Sequence, residues 1–510
     1  MNRNSTEPTR SGCLHLLCVL RADMLAILSL CAFLLVWWFL SPNKKSSTAP
    51  GPRPWPIIGS IHLLGQYETP FQAFTELSKI YGDIFSINLG TIPCVVVNNL
   101  QLIKEVLVTK GADFGGRPDF MRFHKLFGGD RNNSLALCDW SSLQKTRRNI
   151  ARAYCSPKFT SLQCDKVKAV ALEELKVFLA ELNKLPLEEP VDLKPIVLKA
   201  CANMFTKYMC STSFAYDDDE FCLVVRYFDE IFWEINQGYA VDFMPWLLPM
   251  YTGHMKKISS WATKIRSFIL ERIINEHEAT LDYDGYPRDF TDALLMHLAE
   301  DPNMNWQHII FQLEDFIGGH SAVGNLIMVT LSSVIKYPEV AAKIKKEVDS
   351  VTGGNRCPNL FDKEAMPYTE ATIMEALRLA SSPIVPHVAT VDSNIGGYTI
   401  NKGTMIFINN YELNIGQDYW NESNQFKPER FISPNGHISK PAHFIPFSTG
   451  KRTCIGQKLV QYFCFVILAT LVQHFDMSLP DPPKLKPGCV AVHPDCFKFI
   501  LKYRDGQNNE

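Results

Sequence analysis

Ten residues near the C-terminal end carry the chemistry with the narrowest requirements: Phe447-Ser448-Thr449-Gly450-Lys451-Arg452-Thr453-Cys454-Ile455-Gly456. A lone cysteine is most often a small buried hydrophobe, so the neighbours decide what this one does. Gly450 lets the loop turn at a φ that a Cβ would resist, and Gly456 lets the following backbone lie close to a flat macrocycle. Arg452 supplies a fixed cation for a haem propionate. Phe447 shields the sulfur from water. Residues 457–475 follow as an apolar run with helical spacing (Leu459, Phe463, Val466, Leu468, Leu471), which puts Cys454 at a helix N-terminus. The unpaired N–H groups and the dipole there favour thiolate over thiol. The stretch therefore reads as a loop offering a cysteine thiolate to a haem iron, an axial ligand that favours O–O bond cleavage.

The stretch resembles the signature of the cytochrome P450 family, Phe-x-x-Gly-x-Arg-x-Cys-x-Gly, at every fixed position. Other motifs follow the family order from about Pro50 to Tyr503. Glu375-Ala376-Leu377-Arg378 places a carboxylate and a guanidinium side by side on a helix over Tyr368 to Leu379. Phe426-Lys427-Pro428-Glu429-Arg430-Phe431 resembles the segment whose arginine joins that pair, so Glu375, Arg378 and Arg430 are expected to hold the scaffold of the cysteine loop. Val385-Pro386-His387 lies where microsomal members place a propionate-binding histidine, a role His387 inherits from the resemblance.

The resemblance implies a haem b cofactor, a mostly helical domain with a small β-rich lobe behind a single transmembrane helix, and insertion of oxygen from O2 into a lipophilic substrate. Electrons must come from outside, because no dinucleotide fingerprint or flavin site is present; NADPH-cytochrome P450 reductase is the implied donor. Lys145, Arg147, Arg148, Lys451 and Lys458 are expected to form a basic patch suited to an acidic reductase.

Two places depart from the family pattern. Trp140 is expected to open a helix and to reach a propionate, but Gln144 stands where the family has its arginine. Arg148, one turn on and on the same face, takes over that contact or belongs to a solvated basic face. The long helical run over Trp306 to Val334 is interrupted by Gly318-Gly319 and reads Gly318-Gly319-His320-Ser321-Ala322 where the family has Ala/Gly-Gly-x-Asp/Glu-Thr. Gly319 still allows close approach of the backbone to haem, but Ser321 replaces the acid and Ala322 the threonine. General acid–base help of that kind is worth about 10²–10⁴ in rate. Either His320 and Ser321 with water deliver protons, or the reaction needs fewer; a His320 that merely packs or bonds a backbone group is the alternative. The same variant with Val-Pro-His downstream resembles the insect Spook-type enzymes of ecdysteroid synthesis, which implies a sterol substrate. A reductase-independent isomerase or dehydratase, and a non-catalytic haem-binding or ligand-sensing protein, are the rival classes.

The chain has 510 residues, 46% of them hydrophobic, enough for a large core. A net charge of −2 gives no pull toward nucleic acid. Fifteen cysteines, an odd number without Cys-x-x-Cys, indicate reduced thiols in a cytosol-facing body. The organisation expected is an extension over 1–23, a transmembrane anchor over 24–40, a linker and proline-rich hinge over 41–59, the catalytic domain over 60–505 and a polar tail over 506–510. The anchor run has close to the roughly 20 apolar residues that span a bilayer, with Trp37 and Trp38 at its end. A cleaved signal is disfavoured by the lack of an Ala-x-Ala site. Arg3, Arg10 and Arg21 leave a mitochondrial presequence as the alternative to the endoplasmic-reticulum membrane that the resemblance implies. Asn4 begins a glycosylation sequon.

Among the remaining elements, Pro70 to Tyr81 reads as a helix and Ile84 to Asn98 as two strands broken at Gly90 and Pro93. Asp113 to Asp139 is a long loop that the resemblance places over the substrate. Leu162 to Met296 is mostly helical with an acidic tip at Asp217-Asp218-Asp219-Glu220. Phe221 to Met255, rich in aromatics and methionine, belongs to the core or, as the resemblance implies, forms the lid over the substrate cavity. Gly397 to Thr404 reads as a tight hairpin and Cys489 to Phe499 as a loop returning to the cavity.

Overall fold

The computed structural model describes residues 49–504 together with Met24, Ser29 and Phe33. Apart from those three positions the expected anchor lies outside the described residues, as do Asn4 and the tail. The described residues build a mostly helical body with three small sheets. Its axis is the run Trp306–Ile317 and Gly319–Lys336, two helices joined at Gly318, where Ser321 N donates to Gly318 O at 3.1 Å. This run is long and apolar enough to cross a membrane, yet 78% of its most apolar window is buried inside the body. A helix apolar on all sides must be covered on all sides. The helices Lys194–Cys210, Pro338–Thr352, Pro367–Ala380 and Gln457–His474 pack around it.

The largest sheet pairs Ile84–Leu89 antiparallel with Ile92–Val97, then Met405–Ile408 parallel to the second strand, then His387–Val388 antiparallel at the edge. The chain turns at Gly90, as expected, but Pro93 does not break the strand. The parallel partner begins only at Cys94, so the missing N–H of Pro93 removes no bond to it. The expected hairpin also shifts. Its strands are Ser393–Ile395 and Tyr398–Ile400, and Gly396 and Gly397, both at positive φ, make the turn. The proline strap is pinned along the first strand, with Ser86 N donating to Pro50 O at 2.7 Å and Ser60 N to Asn88 O at 2.7 Å.

Helix starts follow their caps. Trp140 lies before its helix, which runs Ser142–Cys155 with Ser141 Oγ accepting from Gln144 N at 3.1 Å. The acidic tip is a helix start: Asp218 caps Asp219–Ile235, and Asp218 and Glu220 both pair with Arg272. The twelve cysteines among the described residues are all free thiols.

A buried ion pair joins His277 to Asp289, Nε2 to Oδ2 at 2.9 Å, while Nδ1 bonds Ile273 O at 2.8 Å. Burial alone would lower the imidazole, but the hydrogen bond and charge of Asp289 outweigh it and raise His277 above its ordinary 6.5. Asp289 is held below 3.8, because the His277 contacts outweigh burial. The pair's contribution is complete between pH 3.8 and 6.5. It fades as pH rises through the raised imidazole value or falls through the lowered carboxyl value. The stability lost in His277→Gln should accordingly be largest at pH 5–6 and shrink at alkaline pH, as thermal unfolding across a pH series would show. A deficit that grows toward alkaline pH would contradict the assignment.

Candidate haem-binding active site

Cys454 sits at the floor of a cavity of about 450 Å³. The loop before it is closed on itself: Cys454 N donates to Phe447 O at 2.9 Å, Thr453 N to Gly450 O at 3.3 Å, and Ser448 N to Ile445 O at 2.9 Å. Gly450 has φ +73°, and a Cβ there would lie 1.9 Å from Leu107 O, so only glycine fits. The sulfur is packed in protein except where it faces the cavity. Burial pushes its pKa up; the N–H groups of Gly456 and Gln457 and the charge of Arg148 pull the other way. Those N–H groups open the helix Gln457–His474. A thiol raised by burial with donors aimed at it becomes a thiolate once a metal cation supplies the missing charge.

The rest of the wall comes from distant segments. Arg452 Nη2 donates to Ala136 O at 2.8 Å, while its Nε and Nη1, though buried, have no partner. His387 Nδ1 bonds Phe114 O at 2.7 Å and leaves Nε2 buried and unpaired. Arg117, inside the expected cavity loop, bonds Ala136 O, Val385 O and Pro386 O at 3.2–3.3 Å and lines the cavity. Arg148 Nη2 donates to Thr453 O at 2.6 Å and also lines it. Burial, reinforced by Arg452 and Arg148, drives the Arg117 pKa well below its ordinary value. Arg452 itself is pushed down to about 10, mainly by burial, and His387 is held well below its ordinary value by burial and Arg117. Arg452 keeps two buried N–H groups without a partner, and the carboxylate of Asp139 only partly offsets the charge of Arg452 and Arg117. His387 Nε2, unprotonated while Nδ1 donates to Phe114 O, can gain a proton beside an anion. Together these groups form a site for an anion.

Several predicted residues come together here: Cys454, Phe447, Gly456, Gly319, Arg452 and Arg148 line the cavity, and His387 is buried against the Phe114 carbonyl beside Arg117. A Cβ at Gly456 would meet no protein atom within 4 Å, so the room beside it belongs to the cavity. Gly319 faces Phe205, whose ring a Cβ would touch at 3.3 Å. Trp140 is not part of the wall; its ring lies under Lys451 Nζ at 5.5 Å. Gln144, at the departed arginine position, is buried and donates to Leu135 O at 3.1 Å. The expected basic patch is smaller than the sequence suggests. Arg147 turns inward, 1% exposed, to Gln312, Asn132 and Asn133, and Arg148 turns to the cavity. Lys145, Arg152 and Lys451 remain on the surface, and Lys458 is half-buried, donating to Pro157 O at 3.1 Å.

His320 and Ser321 do not line the cavity. His320 Nδ1 bonds Ile317 O at 2.6 Å, its ring stands edge-on to Phe228 at 5.2 Å, and Nε2 reaches Ser321 Oγ at 3.4 Å. Burial lowers its pKa to about 4, which keeps the ring neutral near pH 7. Asp315, Phe316, Gly319, Ala322 and Leu326 are the residues this helix run turns to the cavity. Asp315, pushed up to about 6 by burial, was absent from the sequence reading, as was Arg117. A lone arginine after Gly-Gly in a long loop was the available signal for Arg117.

Glu375, Arg378 and Arg430 form one cluster. Arg378 grips both Glu375 oxygens at 2.7 and 2.8 Å, and Arg430 Nε reaches Oε1 at 3.2 Å. Arg378 also holds Asn414 O at 2.6 Å and Gln425 O at 3.2 Å. This orders the segment bearing Trp420 and Phe431, whose rings pack on Phe444 just before the cysteine loop. A second buried network ties the roof: Lys194 and Asp229 pair at 2.7 Å, and Asn325 donates to Asp229 at 2.8 Å and accepts from Val492 N at 2.7 Å. Of the aromatic lid, Phe232 reaches the cavity, while Trp246 and Met250 point to solvent at 60% and 81% exposure.

A thiolate loop at a helix start, an anion-binding cluster and an apolar cavity between them define a haem-thiolate protein, and the chain belongs to the cytochrome P450 family, whose model matches residues 49–501. Members bind haem b, so this chain is an oxidoreductase of the monooxygenase kind that works with a redox partner on lipophilic substrates. It is 50% identical over 489 residues to cytochrome P450 307a1 of Drosophila melanogaster, covering 91% of this chain and 90% of the relative. It is also similar to human cytochrome P450 1A1, 30% identical over 502 residues (92% and 96% covered). Human steroid 17-alpha-hydroxylase/17,20 lyase is 29% identical over 507 residues (94% and 97% covered).

Proposed function

We propose that this enzyme inserts oxygen from O2 into a sterol precursor of ecdysteroid hormone, at the endoplasmic-reticulum membrane with its catalytic body in the cytosol. Support for the substrate comes from the resemblance to Spook-type enzymes, the 50% identity to the Drosophila relative and an apolar cavity lined by Phe205, Phe232, Phe316, Leu326 and Val490. The observation that carries the haem reading is the set of unpartnered buried nitrogens on Arg452, which lines the cavity with Cys454, and on His387, buried beside Arg117.

Haem, when bound, supplies O2 activation. The protein's part is positional and electrostatic. Cys454 Sγ would hold the iron, its charge held by the Gly456 and Gln457 N–H groups. Arg452, Arg117, His387 and Arg148 would hold the propionates, and Lys451 rests on the ring of Trp140. Phe447 keeps water from the sulfur, and Gly456 gives the macrocycle room. His320 and Ser321 act from behind the wall by fixing the Ile317–Ser321 turn. NADPH-cytochrome P450 reductase is the electron donor, docking on the reduced basic face of Lys145, Arg152, Lys451 and Lys458.

Because Ala322 lies on the wall and His320 and Ser321 do not, a second reading stands: rearrangement or dehydration of an already oxidised substrate, without reductase. Incubation of the membrane-bound protein with reductase, NADPH, heavy-isotope O2 and a sterol panel including 7-dehydrocholesterol separates the two. Reductase-dependent label in one sterol product is the expected result. Unlabelled product formed without reductase would establish the second reading.

A further inference from the structure

The cavity wall carries one acid. Asp315 shares its helix face with Phe316, Gly319, Ala322 and Leu326, a three-and-four spacing that turns one side of the run toward the cavity. It is the one carboxylate among the described lining residues, and it keeps an accessible face where Phe316 and Ile317 beside it are buried. Its position is set. Ser134 Oγ donates to Oδ1 and Oδ2 at 3.0 and 3.1 Å, and Leu135 N donates to Oδ2 at 2.5 Å. The next peptide along is clamped as well, since the Ala136 N–H also bears on Asp315 and Ala136 O accepts from Arg452 at 2.8 Å and Arg117 at 3.2 Å. An ionised carboxylate offers about four lone-pair sites, so these donors leave acceptor capacity toward the cavity.

Asp315 could receive a cation or a neutral donor. Arg147, which turns away from the cavity into the body, already places a positive charge near Asp315. A cationic ligand would meet that charge; a hydroxyl would not. We propose that Asp315 is the acceptor that selects an otherwise apolar substrate by its hydroxyl group. The proposal rests on the lipophilic-substrate reading above and narrows it. A ligand without the hydroxyl leaves a buried carboxylate incompletely bonded, which costs about 10- to 100-fold in affinity.

The test uses the haem-loaded protein and the ligand-induced shift of its Soret band, with matched pairs of alcohol and deoxy analogue: one sterol pair and one non-steroidal polycyclic pair. Wild type should bind the alcohol about 10- to 100-fold tighter than its partner. In Asp315→Asn the preference should collapse toward unity while the deoxy ligand binds as before. Ser134→Ala, which loosens the loop and keeps the acid, should retain the preference. If Asp315→Asn does not hold haem, Asp315→Glu is read instead, and the preference must fall there. Equal weakening of both partners in the Asp315 variants, or no preference in wild type, overturns the proposal. An Asp315-dependent preference in the non-steroidal pair with no sterol shift sustains it and discards the sterol reading; sterols bound equally with and without hydroxyl do the reverse.

Discussion

Cys454→Ser should yield a folded protein that has lost the thiolate Soret signature of its reduced carbonyl complex and all reductase-dependent turnover. The substitution keeps volume and polarity at a site whose backbone is fixed independently by Phe447 O and the Gly450 turn. What it removes is the one ligand atom able to become anionic there. The Gly456 and Gln457 N–H groups and Arg148 already work against burial at the sulfur, a balance a metal tips toward thiolate. A serine hydroxyl is far less acidic, and the same donors do not ionise it. Cys464→Ala provides the control. That thiol is fully buried in the helix Gln457–His474 and turned to the core, so its loss should cost some stability and leave the signature intact. A Cys454→Ser protein that retained the signature would displace Cys454 as ligand.

Glu375→Ala should be the most destabilising single change among the polar positions. Glu375 and Arg378 are both 0% exposed, and the carboxylate accepts from Arg378, Arg430 Nε and Lys427 N at 2.7–3.2 Å. Removing it leaves the Arg378 guanidinium buried without its anion, a loss of about 3–5 kcal/mol. The damage should spread along the Trp420, Phe431 and Phe444 cluster into the loop that ends at Cys454, so haem retention should fall together with the midpoint of unfolding. Glu375→Ala combined with Arg378→Leu removes the orphaned charge as well and should recover part of the stability. A single variant as stable as wild type would show that the cluster is not a structural support.

The parts of the site that could be read in advance are those made by residues close in the chain. The turn at Gly450, the start of the helix after Gly456 and the Glu375–Arg378 spacing depend on neighbours within a few residues, where backbone sterics and helical period decide the outcome. The cap at Ser141 and the Gly396-Gly397 turn are equally local; the expectations that missed them chose the wrong residue for a correct element. Pro93 was misplaced because whether its missing N–H matters depends on where a strand some 310 residues later begins to pair.

The polar wall was decided otherwise. Arg117, His387 and Arg452 come from three distant segments, and their common role appears only once the carbonyl of Ala136 brings two of them together. Arg147 and Arg148 are adjacent, and about 100° of helix rotation sends one to the body and the other to the cavity. Asp315 and His320, five residues apart, differ by about 140° of net helix rotation. Gly319–Lys336 is apolar on most sides and has only a weak amphipathic face from which an orientation could be read, whereas Trp306–Ile317 before it is amphipathic. Residue types and local spacing therefore determine that a thiolate loop and a buried helix exist. Packing against the surrounding helices sets the rotation of that helix, and with it which acid the substrate meets.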